Sequence, residues 1–201
     1  MKKIITIMVA ILFSSSFAQA EQGKFRFGAE AGYAWVDIGA EDTAAYIARI
    51  SGSTVSYSYD KADLAGRVYV QYGINKEFSA ELGYLKTASL DATYTISGAS
   101  ATESYEATGF DLAAIYQADN GFYGKAGIHD TEIDGSATVT ISGVGYASAN
   151  ATASGTGFLI GAGYEGKIDE KMSWTAGVTY YDSLAGLSGA DATFVSVGLR
   201  F

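Results

Sequence analysis

The chain has 201 residues, a length typical of one domain, and its lack of cysteine excludes disulfides and cysteine-based metal or nucleophilic sites. It has no proline but 25 glycines, 15 tyrosines and 10 phenylalanines, which suits paired β-strands, because proline cannot donate to a ladder. With 22 acidic against 13 basic residues and a net charge of −9, it is a poor partner for nucleic acid.

The amino terminus has the three regions of a secretory signal peptide. Two lysines follow the first methionine, residues 4–13 form an apolar run, and residues 18–20 read Ala-Gln-Ala, an A-x-A cleavage site. The apolar run is too short for a membrane-spanning helix. We therefore predict a signal peptide at residues 1–20 and a mature domain at residues 21–201.

The last residues of the chain alternate strictly between two kinds of side chain. One face carries Thr193, Val195, Val197, Leu199 and Phe201, and the other carries Ala192, Phe194, Ser196, Gly198 and Arg200. Because a strand sends alternate side chains to opposite faces, this segment has one continuous apolar face. Its length suits a tilted strand that crosses a bilayer with the apolar face toward lipid.

Seven earlier segments alternate in the same way. They cover residues 24–36, 64–74, 78–87, 110–117, 122–129, 158–167 and 173–180. Tight turns begin at Asn75, Asp119 and Asp169, whereas the other connections are long, among them residues 37–61 and 182–190. Short turns on one side and long loops on the other predict an all-β, eight-stranded antiparallel up-and-down transmembrane β-barrel with four extracellular loops. A secreted β-sandwich is the alternative fold, but its outward positions should be polar.

Aromatic residues occupy the outward positions near both ends of the predicted strands. The set near the tight turns, here called the turn-side ring, comprises Phe25, Tyr72, Phe78, Tyr116, Phe122, Tyr164, Trp174 and Phe201. The set near the long loops, the loop-side ring, comprises Trp35, Tyr84, Phe110, Phe158 and Tyr180. Two such rings predict the girdles that contact outer-membrane lipid at its two interfaces.

A short sequence occurs twice in the long loops. Residues 92–98 read Ala-Thr-Tyr-Thr-Ile-Ser-Gly, and residues 137–143 read Ala-Thr-Val-Thr-Ile-Ser-Gly. Both copies alternate, so we predict two copies of one hairpin unit whose strands continue beyond the membrane. We also predict that these runs present a free edge, which accepts a partner strand by β-augmentation. The predicted adaptable contacts are Tyr46, Tyr57, Tyr59, Tyr94, Tyr105 and Tyr146.

The signal peptide, the eight alternating segments, the Gly-Phe-Tyr-Gly-Lys-Ala-Gly pattern at residues 121–127 and the terminal Phe201 resemble the OmpA/OmpX-type small outer-membrane β-barrels. The resemblance implies a monomeric barrel in the outer membrane of a Gram-negative bacterium. It also implies that Phe201 is the assembly signal read by the barrel-assembly machinery. We expect no peptidoglycan-binding domain after Phe201, which favours the OmpX type, whose strands protrude.

Charged residues collect on the predicted inward faces. They are Arg26, Glu30, Arg67, Glu81, Asp111, Lys125, Glu165, Lys167 and Arg200. The lumen of an eight-stranded barrel has room only for its own side chains, so these charges should pair. We predict a charge network in which Glu30 and Arg67 meet near mid-barrel with Asp111 close by. A small-solute channel, gated by these charges, is the alternative interpretation.

His129 is the only histidine and raises the possibility of a lipid A-modifying enzyme. Deacylases with this kind of barrel carry a His-x-Ser pair, whereas residues 129–131 read His-Asp-Thr, and strand parity points His129 inward. The glycines at positions 157, 161, 163 and 166 lie in an alternating strand, where they make room for bulky neighbours rather than bind phosphate. We predict no enzyme activity, catalytic residue, cofactor or metal.

The predicted extracellular loops are strongly acidic. Their acidic residues are Asp37, Glu41, Asp42, Asp60, Asp91, Glu103, Glu106, Glu132 and Asp134, against Arg49, Lys61 and Lys86. Loops on a rigid scaffold are the usual place for binding residues. We predict a structural, adhesion-like role with a host or cell-surface ligand that is basic or cation-bridged. Loops that merely keep the cell surface hydrated are the alternative.

Overall fold

The structure is a computed structural model that describes residues 22–37 and 39–201. The signal peptide predicted at residues 1–20 lies outside the described residues. The strands are β1 (Phe25–Val36), β2 (Ser56–Tyr59), β3 (Ala62–Gly73), β4 (Phe78–Thr87), β5 (Leu90–Ile96), β6 (Ala99–Gln117), β7 (Phe122–Ile141), β8 (Gly145–Lys167), β9 (Ser173–Tyr181) and β10 (Ala192–Arg200). An α-helix, α1 (Ala40–Ser51), follows β1, and a 3₁₀ turn (Leu184–Gly186) precedes β10. In the described part of the chain, no helix has the length and apolar character needed to cross a bilayer.

Eight of the strands close into a barrel. The order is β1-β3-β4-β6-β7-β8-β9-β10, and β10 pairs back with β1 in antiparallel register. At the seam, the Phe201 N–H donates to the Phe27 carbonyl at 2.7 Å, and the Phe27 N–H donates back at 3.0 Å. The predicted eight-stranded antiparallel barrel is therefore confirmed. Closure pairs every barrel strand on both sides, which removes the exposed edges of an open sheet.

The apolar faces point outward, as the alternation predicts. Phe25 and Phe122 are each more than half exposed, and so is Val197. Turn-side aromatics contact each other across strand pairs: the ring centroids are 5.0 Å apart for Phe25 and Tyr72, which are tilted, and 5.2 Å apart for Phe122 and Tyr164, which meet edge to face. Between the two rings, the outside of the barrel is therefore an apolar band, whose aromatic pairs are fixed by strand register.

Several strands continue past the loop-side ring and form what we call the outer sheet. It consists of β2, β5, residues 99–107 of β6, residues 130–141 of β7 and residues 145–156 of β8. The prediction that the repeat-bearing strands continue past the barrel is confirmed for the second copy, on β7, whereas the first copy lies on β5, a strand separate from β4.

The two repeat copies occupy equivalent places in the outer sheet. Both pair with β6 in the same register, so that Ala101 lies between Tyr94 of the first copy and Val139 of the second. Each copy ends at a turn glycine with positive φ, 82° at Gly98 and 75° at Gly143, a conformation that favours glycine. The first copy forms a hairpin with β6 and the second with β8, and the duplication of one hairpin unit stays a prediction.

The prediction that these repeat runs present a free edge is wrong. β5 lies between β2 and β6, and β7 lies between β6 and β8. The reason is that residues 56–59, in the long first connection, add to β5 as a strand. The edges of the outer sheet belong to β2 and β8 instead.

The polar connection predicted at residues 37–61 is also more ordered than expected, because it contains α1. Ala40 and Ala44 are buried against Ala92 and Tyr94 of β5, so the helix covers the inner face of the outer sheet. The helix ends at Gly52, whose φ of 63° and whose N–H, donated to the Ala48 carbonyl, form a typical glycine cap.

Candidate functional site

The middle of the lumen is built around Arg67, whose side chain is fully buried. Its Nη2 lies 2.6 Å from Glu81 Oε1 and 2.6 Å from Asp111 Oδ1, and its Nε lies 2.8 Å from Asp111 Oδ2. Glu30 is its cross-strand neighbour, but the distance from Arg67 Nη1 to Glu30 Oε2 is longer, at 3.6 Å. The structure thus brings together the predicted residues, with Glu81 and Asp111 as the closest partners.

A second cluster lies toward the turn-side mouth and is centred on Glu165. Its carboxylate contacts the guanidinium groups of Arg26 and Arg200, and it accepts a hydrogen bond from Ser173 Oγ at 2.7 Å. Arg200 Nη2 also lies 3.8 Å from Glu81 Oε2, which connects this cluster to the one around Arg67. Charges along the lumen therefore form one linked series, as expected where buried ions must be compensated.

The two predicted lysines lie in different environments. Lys125 is buried on β7, where the absence of a side chain at Gly161 leaves room for it. Lys167 is exposed at the end of β8 and lines a polar cavity of about 250 Å³ at the turn-side mouth, together with Arg26 and Glu165. Lys167 thus lies at the rim of the lumen, at the last register position of β8, opposite Ser173 of β9.

Glycines make room for the large lumen side chains. A Cβ at Gly83 would lie 2.3 Å from Nη2 of Arg67, and one at Gly163 would lie 2.5 Å from the Tyr123 ring. Both distances are far below ordinary van der Waals contact. The interpretation that small residues such as Gly163 admit bulky neighbours is confirmed by these contacts.

The loop-side mouth is closed by the connection between β9 and β10. Leu184 and Ala185 are 1% and 3% exposed, and Leu184 packs in one apolar cluster with Leu159, Tyr181 and Phe194. We call this layer the plug. It places side chains without charge above the ion clusters, where a conducting pore would need water.

His129 helps to hold the plug in place. The ring of His129 is buried, and its Nε2 lies 2.8 Å from the Asp182 carbonyl oxygen, to which it donates a hydrogen bond. Its Nδ1 accepts a hydrogen bond from Thr131 Oγ1 at 3.3 Å. Thr131 Oγ1 in turn accepts the Ala185 N–H at 2.8 Å. Sequence reasoning predicted the inward direction of His129 but not this role, because its partners lie far along the chain.

A second cavity, of about 470 Å³, opens outside the plug. Asp37 and Asp42 lie at it beside Leu90, Leu187 and other apolar residues. Tyr105 also lines it and donates to Glu103 Oε2 at 2.7 Å. Burial, together with this hydrogen bond, raises the pKa of the Tyr105 hydroxyl.

The outer sheet has two chemically different faces. On the inner face of β7 and β8 lie Ile133, Ala137, Val139, Ile141, Ala147, Ala149, Ala151 and Ala153. On the outer face lie threonine, serine and asparagine, for example Thr138 opposite Ser148. Helix α1 covers the inner face at β5, whereas Val139 and Ile141 remain 42% and 46% exposed.

The tyrosines of the outer region divide into exposed and buried groups. Tyr46 and Tyr146 are 55% and 80% exposed, whereas Tyr94 is buried beneath α1 and was wrongly predicted as a surface contact. Arg49 lies over the Tyr46 ring at 5.3 Å, and Lys61 lies over the Tyr59 ring at 5.5 Å. Part of the scarce basic charge is therefore held against aromatic rings.

No metal site is formed by groups of three or more His, Asp or Glu side chains within residues 22–37 and 39–201. Glu81 and Asp111 are both bound to Arg67. The acidic side chains of the lumen thus hold guanidinium groups.

The family profile described as Outer membrane protein beta-barrel domain matches residues 5–201. Among curated proteins, no sequence matches this chain. Ail, the attachment invasion locus protein of Yersinia pestis, is a similar solved structure, with a TM-score of 0.52 and 14% identity over 90% of this chain and 99% of that one. The structure of the same protein in complex with the heparin analogue sucrose octasulfate has a TM-score of 0.50 and 13% identity, again over 90% of this chain and 99% of that one. OprG from Pseudomonas aeruginosa has a TM-score of 0.44 and 13% identity, over 90% of this chain and 98% of that one.

Identities this low show a shared fold alone. The family profile, however, spans the chain from the amino-terminal region to Phe201, and the closed barrel with its outward apolar band agrees with it. Such a barrel belongs in the outer membrane of a Gram-negative bacterium. The chain is therefore a member of the outer-membrane protein β-barrel family.

Proposed function

We propose that this protein attaches the cell to other surfaces through its outer sheet, with the barrel as the anchor in the outer membrane. The observation that carries the proposal is the unbroken course of β8 from the loop-side ring to the tip. From Phe158 to its first residue, Gly145, the strand extends roughly 43 Å along its axis. The barrel therefore holds a stiff sheet well beyond the apolar band.

The structure of the lumen favours an attachment role over transport of solutes through the barrel. Arg67 and Arg200 are fully buried among carboxylates, and the plug lies between them and the outer cavity. A small-solute channel would require these groups to separate, which strands buried charges at a cost of about 3–5 kcal/mol for each broken pair.

The charge of the outer region favours a basic or cation-bridged partner. Asp37, Asp42 and Asp91 are exposed there, whereas Arg49 and Lys61 lie against tyrosine rings. Ail is named for attachment and is recorded with a heparin analogue, a polyanion. The acidity of the present chain favours the opposite charge in its partner.

The proposal is tested by removing the tip of the outer sheet while keeping the barrel. Residues 92–103 and residues 137–149 are each replaced by Asn-Gly, which joins register partners Asp91 with Ser104 and Ser136 with Asn150 through a favoured hairpin turn. Cells that produce this variant should lose attachment to host-cell layers and basic surfaces. An unheated gel, in which the folded barrel migrates differently from the boiled chain, controls for folding. Attachment that survives both replacements would contradict the proposal.

Salt provides an independent check on the nature of the contact. If acidic side chains meet a basic surface directly, attachment should weaken as salt rises, because the screening length falls from about 10 Å at 0.1 M to about 3 Å at 1 M. Attachment that depends on the tip but is insensitive to salt would assign it to the uncharged parts of the outer sheet.

A further inference from the structure

One edge of the outer sheet offers an open row of backbone groups. Among the described strands, β8 pairs with β9 only from Leu159 onward, so residues 146–154 have β7 on one side alone. The Phe158 carbonyl accepts the Asp182 N–H across the β9 side, whereas the Glu165 N–H bonds to Gly121 on the β7 side. Because the register with β7 is continuous, the even-numbered residues of β8 direct their N–H and C=O groups away from β7.

This edge lacks the features that usually protect edge strands. Residues 145–157 read Gly-Tyr-Ala-Ser-Ala-Asn-Ala-Thr-Ala-Ser-Gly-Thr-Gly, without charge or proline. Natural edges are normally blunted by lysine, proline, bulges or short length. The opposite edge, β2, follows that rule, since it comprises only Ser56–Tyr59 and is flanked by Asp60 and Lys61. The β8 edge is a long template for another strand.

We propose that the β8 edge pairs with the β8 edge of a second copy of this protein on a facing cell. This inference rests on the proposed attachment function and adds a second contact to the one with a basic surface, between two cells that both carry this protein. Two copies in one membrane are related by an axis along the membrane normal, which orients their β8 strands in the same direction. Two copies on facing membranes are related by an axis within the membrane plane, and this orients the strands antiparallel. Only the second arrangement forms an antiparallel ladder.

The chemistry of the edge supports a second copy as the occupant. Identical acidic surfaces repel each other, but residues 145–157 carry no charge, and the neighbouring acidic side chains, Glu132 and Asp134, lie one strand back on β7. Pairing centred on Asn150 joins Ser148 of one copy with Thr152 of the other. A two-fold axis perpendicular to the sheet keeps both alanine-lined inner faces on the same side, which makes one continuous apolar surface from the two exposed ones.

A cysteine trap tests the register. The chain contains no cysteine, so Asn150→Cys introduces a single thiol that faces its copy across the two-fold axis. Opposite residues of an antiparallel pair lie about 4.5–5.5 Å apart, within the range that a disulfide spans. Two cell populations produce the variant with different epitope tags and are mixed under mild oxidation. We expect mixed-tag dimers on non-reducing gels, and far fewer for Thr140→Cys, on the exposed outer face of β7. If neither variant gives mixed-tag dimers, the pairing is wrong.

Substitution by charged residues tests the pairing without any covalent bond. Ser148→Lys with Thr152→Lys places lysine opposite lysine across the axis, and the matched control, Thr138→Lys with Thr140→Lys, adds the same charge to β7. Flow cytometry of two-colour cells should show about a tenfold or greater loss of mixed clusters for the β8 pair and little loss for the control. Cells with Ser148→Glu and Thr152→Glu should also fail to cluster alone, yet cluster when mixed with the lysine cells.

The outcomes separate this inference from the proposed function. If the β8 lysine pair clusters normally, or if mixing lysine and glutamate cells restores nothing, homophilic pairing is overturned. If tip removal nevertheless abolishes attachment to basic or host surfaces, attachment stands and its partner is a different molecule. If tip removal has no effect on any attachment, both proposals fall.

Discussion

Arg67 is the residue on which the lumen depends most, because its guanidinium faces three carboxylates in a space without bulk water. Replacing Arg67 by methionine keeps much of its volume but leaves Asp111 without its guanidinium partner and Glu81 with only Arg200, at 3.8 Å. We expect the free energy of unfolding to fall by about 3–5 kcal/mol. Urea titration of the protein in detergent micelles measures this.

The matched control neutralises the partners as well. Adding Glu81→Gln and Asp111→Asn to the Arg67→Met chain should restore most of the lost stability, because the penalty comes from stranded charge rather than from lost volume. If the triple variant is as unstable as the single one, packing and not charge is the cause.

Phe201 is proposed to act in assembly rather than in stability. It closes the β1–β10 seam through two hydrogen bonds with Phe27, but its side chain is only partly buried. Deleting Phe201 should slow insertion and lower the amount of protein in the outer membrane, whereas Phe201→Tyr should keep both. Quantitative blots of outer-membrane fractions decide this, and unchanged levels with an unchanged folding rate in the deletion would contradict it.

At the level of elements, the plug is held by one large apolar side chain and a few polar contacts. Leu184→Asp places a charge among Leu159, Tyr181 and Phe194, and burying leucine there is worth about 2 kcal/mol. The Ala185 amide should therefore exchange hydrogen roughly tenfold faster or more. Leu187→Asp, at a half-exposed site in the same connection, should change exchange little. Equal protection in Leu184→Asp would show that the polar contacts alone hold the connection.

Helix α1 is docked through its small residues. Ala44→Asp puts a charge against Ala92 and Tyr94 and should release the helix, so that trypsin cuts at the exposed Arg49 faster than in the wild-type protein. Ala45→Asp, on the exposed side of the same turn, is the control. Equal cleavage rates in both variants would mean that the helix does not depend on this contact.

Some secondary-structure elements of this fold can be predicted from the sequence, and others cannot. Barrel strands such as β10 were predictable because a two-residue period is a local signal. Helix α1 also has a signal in the sequence, since Ala40, Ala44 and Ile47 share one face and Gly52 ends the helix.

The plug and the position of the free edge of the outer sheet could not be predicted from a local sequence pattern. The plug depends on His129 meeting Asp182, and the covering of the β5 edge depends on β2 adding to it. Both are contacts between distant segments, which no periodicity reveals. For the lumen charges, strand parity indicated the inward direction, but only the structure shows that Glu81 lies closer to Arg67 than Glu30 does.

For the whole molecule, the central claim is that this barrel acts through its outer sheet and not through its lumen. The linked charges from Glu165 to Arg67 and the plug above them close the interior. The most direct test is the conductance of the wild-type protein reconstituted in planar lipid bilayers. We predict no steady conductance above that of the protein-free bilayer. Large, steady, ohmic channels would contradict it and favour the small-solute channel.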